Sequence, residues 1–444
     1  MFSVLSNRTF RHLFAAQVIA LFGTGLMTVG LALLAYDLAG ADAGVVIGTA
    51  LAIKMIVYVG ISPIAAGFAA QFSRRKYLVV LDLLRAGTAI ALPFVDAVWQ
   101  IYVLIAVLQM ASAGFTPVFQ ATIPDILPNE NDYTNALSLS RFAYDLENLL
   151  SPVIAAVLIG LIGFQGLFSG TVIGFFLSAS LIFTVTLPAY SLANSESPLQ
   201  RTAKGLRIYL RTPRLRGLLG LSLVVSAAGA IVIVNTVVFI KELLGKLDAD
   251  LALAMAAYGG GSMAMALTIP RLLLLLKDRT VMISAAAFLP LILLAFAALV
   301  SNVPADWVWP VLLITWVLIG GATSAILVPT GRLLRNSAQP DDRPMVFAAQ
   351  FALSHGCWLI TYPLAGWLGS AAGLPAALYT LAMIAIGGVV FAYRQWPADD
   401  DSVVVHNHPD LPAEHPHLND AAGKKHAHTF VIDDLHTTWP SGRP

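Results

Sequence analysis

Charged residues are nearly absent from this chain except at regular intervals. Between the polar breaks lie twelve apolar runs, near residues 12–37, 44–70, 77–96, 98–123, 134–162, 165–190, 215–243, 249–275, 280–300, 306–333, 344–370 and 373–395. About 20 apolar residues in a helix cross the hydrocarbon of a bilayer. Charged residues make up 11% of the chain and hydrophobic ones 58%, against about 25% charged in soluble domains. Lipid is therefore expected to be the solvent for most of this surface. Only helices or closed barrels satisfy the backbone there. Runs such as AAVLIGLIG and LLLLL lack the alternation of barrel strands. The fold class expected is all-α and integral to the membrane, with twelve helices.

The basic residues give an orientation. With the N-terminus cytoplasmic, eighteen lysines and arginines fall in inside segments, among them Arg8, Arg74, Arg75, Arg201, Lys204, Arg332, Arg335 and Arg343. Outside turns hold only Lys246, with Lys241 just inside a helix end. Such asymmetry places both termini in the cytoplasm of an inner membrane. The first run starts near His12 and is too long for a signal-peptide core, so it reads as a first crossing. Net charge near zero argues against nucleic acid, and the single cysteine, Cys357, excludes an intrachain disulfide.

The longest internal loop, 191–213, divides the runs six and six. Four segments follow: an N-terminal bundle at 1–190, a cytoplasmic linker at 191–213, a C-terminal bundle at 214–396 and a tail at 397–444. Within the linker, GLRIYL reads either as a short amphipathic surface helix or as solvated chain. The halves share punctuation. Pro117, Pro128 and Pro152 are matched by Pro329, Pro340 and Pro363, with spacings of 11 and 24 against 11 and 23 residues. Duplicated halves with a site between them near the midplane are common in secondary transporters.

Residues 10–152 resemble the major facilitator superfamily, in particular its bacterial drug and siderophore (enterobactin exporter-like) branch. The stretches carrying the likeness are FRHLFAAQVIALFGTGLMTVGLALLAYDLAG, FSRRKYLVVLDLLRAG and ASAGFTPVFQATIPDILPNENDYTNALSLSR. The resemblance implies two pseudo-symmetric six-helix bundles and transport by alternating access. The superfamily signature G-x-L-A-D-R-x-x-R-R appears as Ala66 to Arg75, with Arg74 and Arg75 kept. Ala70 stands in place of the aspartate that helps hold the family's cytoplasmic gate, and Gln71 in place of the next arginine. Asp82 and Arg85, one turn apart, either take over part of that gate or pair only with each other.

Ionisable groups at bilayer depth are costly and read as functional candidates. Lys54 lies ten residues into the second run, about 15 Å deep. Tyr144, Asp145 and Glu147 lie some 15–20 Å from the cytoplasmic end of the fifth run, and His355 corresponds to Tyr144 in the repeat. Asp145 is four residues from Arg141, the spacing of an intrahelical pair. Glu147, about 200° further round, is assigned to the pore or to Lys54, as a carboxylate whose proton affinity changes with access. The reverse assignment, and a purely structural ion pair, remain open. Gln17, Gln109, Gln120 and Asn235 complete a sparse polar lining suited to an amphipathic molecule. His355 and Cys357 point apart and make a weak metal pair.

The tail holds seven of the nine histidines: His406, His408, His415, His417, His426, His428 and His436. Its composition predicts no packed core. Imidazoles suit divalent transition metals, so weak metal binding is one reading and a solvated tail the other. TFVIDDLHTTWP, near the end, carries apolar residues able to dock on the cytoplasmic face. No cofactor is implied, nor any enzymatic constellation. The function expected is proton-coupled export of a small amphipathic molecule by a monomer. The alternatives are efflux of a transition metal or its chelate, and a membrane metal sensor or scaffold without transport.

Overall fold

The computed structural model describes residues 2–40, 43–189, 197–302, 304–398, 403–407 and 425–440. Six long helices form the first half: α1 (Arg8–Ala39), α2 (Ala43–Ala69), α3 (Arg74–Ala91), α4 (Val98–Ile126), α5 (Glu130–Ile162) and α6 (Gly166–Phe183). After α7 (Pro198–Arg211) come α8 (Pro213–Ala230), α9 (Thr236–Val238), α10 (Asp248–Leu275), α11 (Asp278–Asn302), α12 (Ala305–Arg335), α13 (Arg343–Ala371) and α14 (Leu374–Gln395). One continuous span, Pro213–Leu243, contains α8, α9 and two π-helical turns, Ile231–Asn235 and Phe239–Leu243.

Among the described residues, eleven helical spans are long and apolar enough to cross a membrane. The remaining long helix is α13, whose 29 residues would extend about 44 Å. It is less apolar because Arg343, Gln350, Ser354 and His355 interrupt it. It is also one of the helices that face the other bundle.

The halves repeat one packing pattern. In the first, α1 packs on α6, α2 on α4, and α3 on α6; in the second, α8 packs on α14, α10 on α12, and α11 on α14. Small residues permit these approaches. A Cβ on Gly23 would press on the backbone of Thr171 in α6, and one on Gly220 would meet the Gly388 carbonyl of α14. In the GGG stretch, a Cβ on Gly261 would collide with the Val317 carbonyl of α12. Between the halves, α2 faces α13 and α5 faces α10, two contacts related by the same pseudo-symmetry.

The linker does fold. Ser197 and Gln200 form a capping box that starts α7, satisfying two otherwise free amides. Thr202 of α7 donates to the Pro63 carbonyl of α2 at 3.0 Å, and Tyr209 donates to Gln350 of α13. The amphipathic helix thus straps both bundles at the end that carries the termini.

The tail was expected to lack packing, and part of it packs. β1 (Val403–Asn407) and β2 (Lys425–Thr429) pair antiparallel. Phe430, Val431 and Ile432 are then buried, Phe430 and Ile432 against the second bundle's core with Trp439 beside them. Asp434 lies 3.5 Å from Lys204, Arg211 donates to the Thr437 carbonyl, and Arg214 stacks on Trp439. Three successive apolar side chains of the TFVIDDLHTTWP stretch drive this docking. His408, His415 and His417 lie outside the described residues.

Candidate functional site

Helix lengths set the depth of each polar group. Tyr58 and Lys54 lie 11 and 15 residues from the end of α2 at Ala69, and His355 lies 12 residues from the start of α13. At 1.5 Å per residue these depths are about 16, 22 and 18 Å. There α2 and α13 meet. The Tyr58 hydroxyl donates to Gln109 Oε1 of α4 at 2.8 Å. Its ring lies edge-on to His355 (4.9 Å between centroids) and tilted against Phe351 (4.8 Å). Lys54 Nζ stands 5.6 Å from the Tyr58 ring centre. His355 Nδ1 is 2.7 Å from the Phe351 carbonyl. A carbonyl has no proton to give, so Nδ1 carries the hydrogen and Nε2 of the neutral ring is the acceptor.

The two carboxylates of α5 diverge, as their spacing requires. Arg141 and Asp145 do pair, at 2.8 Å, but Arg141 Nε also donates to Ser262 of α10 at 3.0 Å. This pair therefore faces the other bundle. Glu147 turns into its own bundle, where it accepts from Ser151 at 2.9 Å and is nearly buried. α1 passes directly over it, because a Cβ on Gly25 would overlap both Glu147 and Ser151. Lys54 and Glu147 form no salt bridge with each other. Gln17 accepts from Ser140 at 3.0 Å and ties α1 to α5.

The end carrying the termini is closed by ions. Asp125, at the end of α4, is 2.5 Å from Arg74 of its own bundle and 2.5 Å from Arg343 of the other. Arg332 of α12 pairs with Glu130 at 2.8 Å, with Asp278 at 3.4 Å, and donates to Thr134. Arg335 donates to the Pro128 carbonyl. Among the described residues, every direct hydrogen bond or ion pair between the bundles lies at this end or near mid-height.

Asp82 and Arg85 have no part in that closure. Arg85 lies between the rings of Phe115 and Phe175 and donates to Asp82, which also accepts from Ser178 at 2.7 Å. The pair is sealed inside the first bundle, because aromatic faces compensate the guanidinium's lost hydration. Arg75 stacks on Phe183. Asp125, which pairs with Arg74 and Arg343, was missed by sequence reasoning because it looks like an ordinary helix-end charge. Tyr58 was missed too; its one signal is its spacing four residues from Lys54 on one helix face.

Asn235 sits in the first π-helical turn and donates to the Ala365 carbonyl at 3.3 Å, inside the second bundle. Gln120 is half-buried on α4 and joins none of these contacts. Cys357 is buried. Among the described side chains, no three His, Cys, Asp or Glu come together as a metal site. His436 is committed elsewhere: its Nδ1 is 2.8 Å from Asp433 and its ring packs edge-on to Phe430. Burial acts to raise the Asp433 carboxyl, but hydrogen bonds from His436 and Leu435 outweigh it and hold it below its ordinary value.

The sequence profile of the Major Facilitator Superfamily matches residues 13–308. The uncharacterized MFS-type transporter YfiS of Bacillus subtilis (strain 168) is 27% identical over 161 residues, covering 35% of this chain and 38% of that protein's length. Among solved structures, the human organic anion transporter MFSD10 superposes with a TM-score of 0.71 at 13% identity, over 87% of this chain and 99% of that one. A bacterial homologue of the iron transporter ferroportin, in an outward-facing state, gives 0.71 at 14% identity over the same shares.

Proposed function

This chain belongs to the Major Facilitator Superfamily, and from that premise we propose that it is a proton-coupled secondary transporter exporting a small amphipathic molecule. The single observation carrying this reading is the set of ion pairs that, among the described residues, join the bundles at one end. Asp125–Arg343 and Glu130–Arg332 each have one partner in each half. A rocking motion that opened this end would break them together, which is the requirement for alternating access about a fixed midplane site. The basic flanks support placing that end in the cytoplasm of a bacterial inner membrane, which would make this conformation outward-facing.

In this scheme the ring cluster of Tyr58, Phe351 and His355 offers an apolar surface with one cation, Lys54, at its edge. Glu147 carries the coupling proton. It is held by Ser151 beneath Gly25 of α1, so a tilt of α1 would change its access to water and with it the balance between charged and neutral forms. Arg141, Asp145 and Ser262 report the state of the interface.

The drug and siderophore exporter branch supplies the direction of flux and the substrate class proposed. A second reading, efflux of a transition metal or its chelate, is favoured by the histidines after residue 400. The two solved relatives carry cargoes of both kinds in their names, so the fold leaves this choice open. A further reading is a metal sensor or scaffold without transport.

Vesicles containing the purified protein, given a pH gradient and a panel of organic substrates and metals, separate the three. Proton movement linked to organic substrates alone supports the main reading. Movement linked to metals supports the second, and neither supports the third.

A further inference from the structure

Three rings drawn from both bundles meet at mid-height. Between centroids, Tyr58 of α2 lies 4.8 Å from Phe351 and 4.9 Å from His355 of α13, and the last two are 4.2 Å apart. They bridge the bundles at that level. Lys54 is one turn from Tyr58 on the same face of α2, about 6 Å further from the end closed by Asp125 and Arg343. It therefore stands just beyond the rings, on the side away from the ion pairs.

No carboxylate pairs with that ammonium. Among the described residues Lys54 forms neither an ion pair nor a hydrogen bond. The two carboxylates of α5 are committed elsewhere, Asp145 to Arg141 and Glu147 to Ser151. What remains is the Tyr58 ring, whose centre is 5.6 Å from Nζ, near the limit of a useful cation–π contact. A cation at this depth is costly, and is kept where it faces a partner or a water-filled cavity. The Lys54 side chain is half-buried and its nitrogen is not sealed from open space. A second donor adjoins it. Tyr58 occupies the carboxamide oxygen of Gln109, and the Gln109 amide nitrogen has no partner among the described residues.

We propose that the cargo is a small organic anion, a carboxylate-bearing amphipath whose charged group pairs with Lys54 while its apolar body lies on Tyr58, Phe351 and His355. The proposal rests on the reading that an amphipathic molecule is carried, and adds its charge. An ammonium beside apolar rings complements such a molecule in both parts, by a charge-assisted hydrogen bond and by burial of apolar surface. A cationic amphipath meets like-charge repulsion there. A neutral one leaves the ammonium without a counter-charge.

Isothermal calorimetry of the purified full-length protein in detergent, with no pH gradient, tests this with three probes of one shape: naphthylacetate, naphthylacetamide and naphthylethylammonium. We expect the carboxylate to bind about tenfold or more tightly than the amide, and the ammonium more weakly than the amide. Lys54→Gln should erase the carboxylate's advantage, and the amide, which makes no ion pair, reports that this variant is folded. Lys54→Arg should keep the advantage. Phe351→Ala should weaken carboxylate and amide alike. Equal affinities for the two in the unaltered protein, an advantage that survives Lys54→Gln, or no binding of any probe would overturn the proposal. So would loss of both affinities together in Lys54→Gln, which would make Lys54 a packing residue. The export reading is tested apart: pH-driven movement of neutral or cationic amphipaths in vesicles would uphold it while this proposal fell. Tight carboxylate binding without pH-driven movement would do the reverse.

Discussion

Arg343, at the start of α13, lies 2.5 Å from Asp125 at the end of α4, and so one carboxylate joins two bundles that share no covalent link there. Because Arg74 also holds Asp125, the contact is braced from the first bundle and breaks only from the second.

Replacing Asp125 with Asn should therefore release this end. The expected shift in the equilibrium between closed and open forms is about 1–3 kcal/mol, or roughly 5–150-fold in population. Accessibility of a cysteine placed at residue 137, which packs on Gly331 of α12, should rise accordingly in membranes. Arg343→Ala should produce a similar rise, and the double variant should add little, since both remove the same contact.

Glu147→Gln should abolish proton-linked movement while leaving membrane insertion and the unfolding temperature nearly intact, because Ser151 can still donate to an amide oxygen. Lys54→Ala should do the same by removing the neighbouring charge. Proton uptake by reconstituted vesicles measures both, and full activity in both variants would remove Glu147 from the mechanism.

Gly261→Val should destabilise the second bundle, since even a Cβ there meets the Val317 carbonyl. Overpacking of this kind costs about 1–3 kcal/mol. Thermal unfolding in detergent should show a lowered midpoint. Gly260→Ala, where a Cβ meets nothing within 4 Å, should not.

Asp433 supplies a pH-dependent contribution to tail docking. Its carboxyl is held below its ordinary value, 3.8, so the stabilisation is fully present above that value and is lost as pH falls through the lower, docked value. A spin label at residue 438 should stay immobilised between pH 8 and 5 and loosen below about pH 4. Asp433→Asn should weaken docking at pH 7, and the difference from wild type should vanish in acid.

Much of the membrane architecture was legible because lipid leaves the backbone few choices and the chain marks each crossing with length and charge. The Arg141–Asp145 pair followed from spacing of four on a helix, and Lys54, Gln109 and His355 do gather at similar depth. Rotation of α5 did not follow. A separation of two residues says that Asp145 and Glu147 diverge, but which one faces α10 depends on how the whole helix is seated by Gly25 and Ser262. Asp125 was illegible for a different reason: its partners come from residues 74 and 343, far apart in sequence. The tail's docking segment, TFVIDDLHTTWP, was legible from its apolar residues, while its polar contacts with Lys204 and Arg211 were not.

Paired spin labels test alternating access most directly. One pair, at Asn131 and Lys277, spans the end closed by Asp125; the other, at Gln165 and Leu247, spans the opposite end. Double electron–electron resonance in lipid at pH 8 and pH 5 should show the first distance lengthening as the second shortens, and Glu147→Gln should suppress the pH response of both. Distances that stay fixed at both ends, or that lengthen together, would contradict the account.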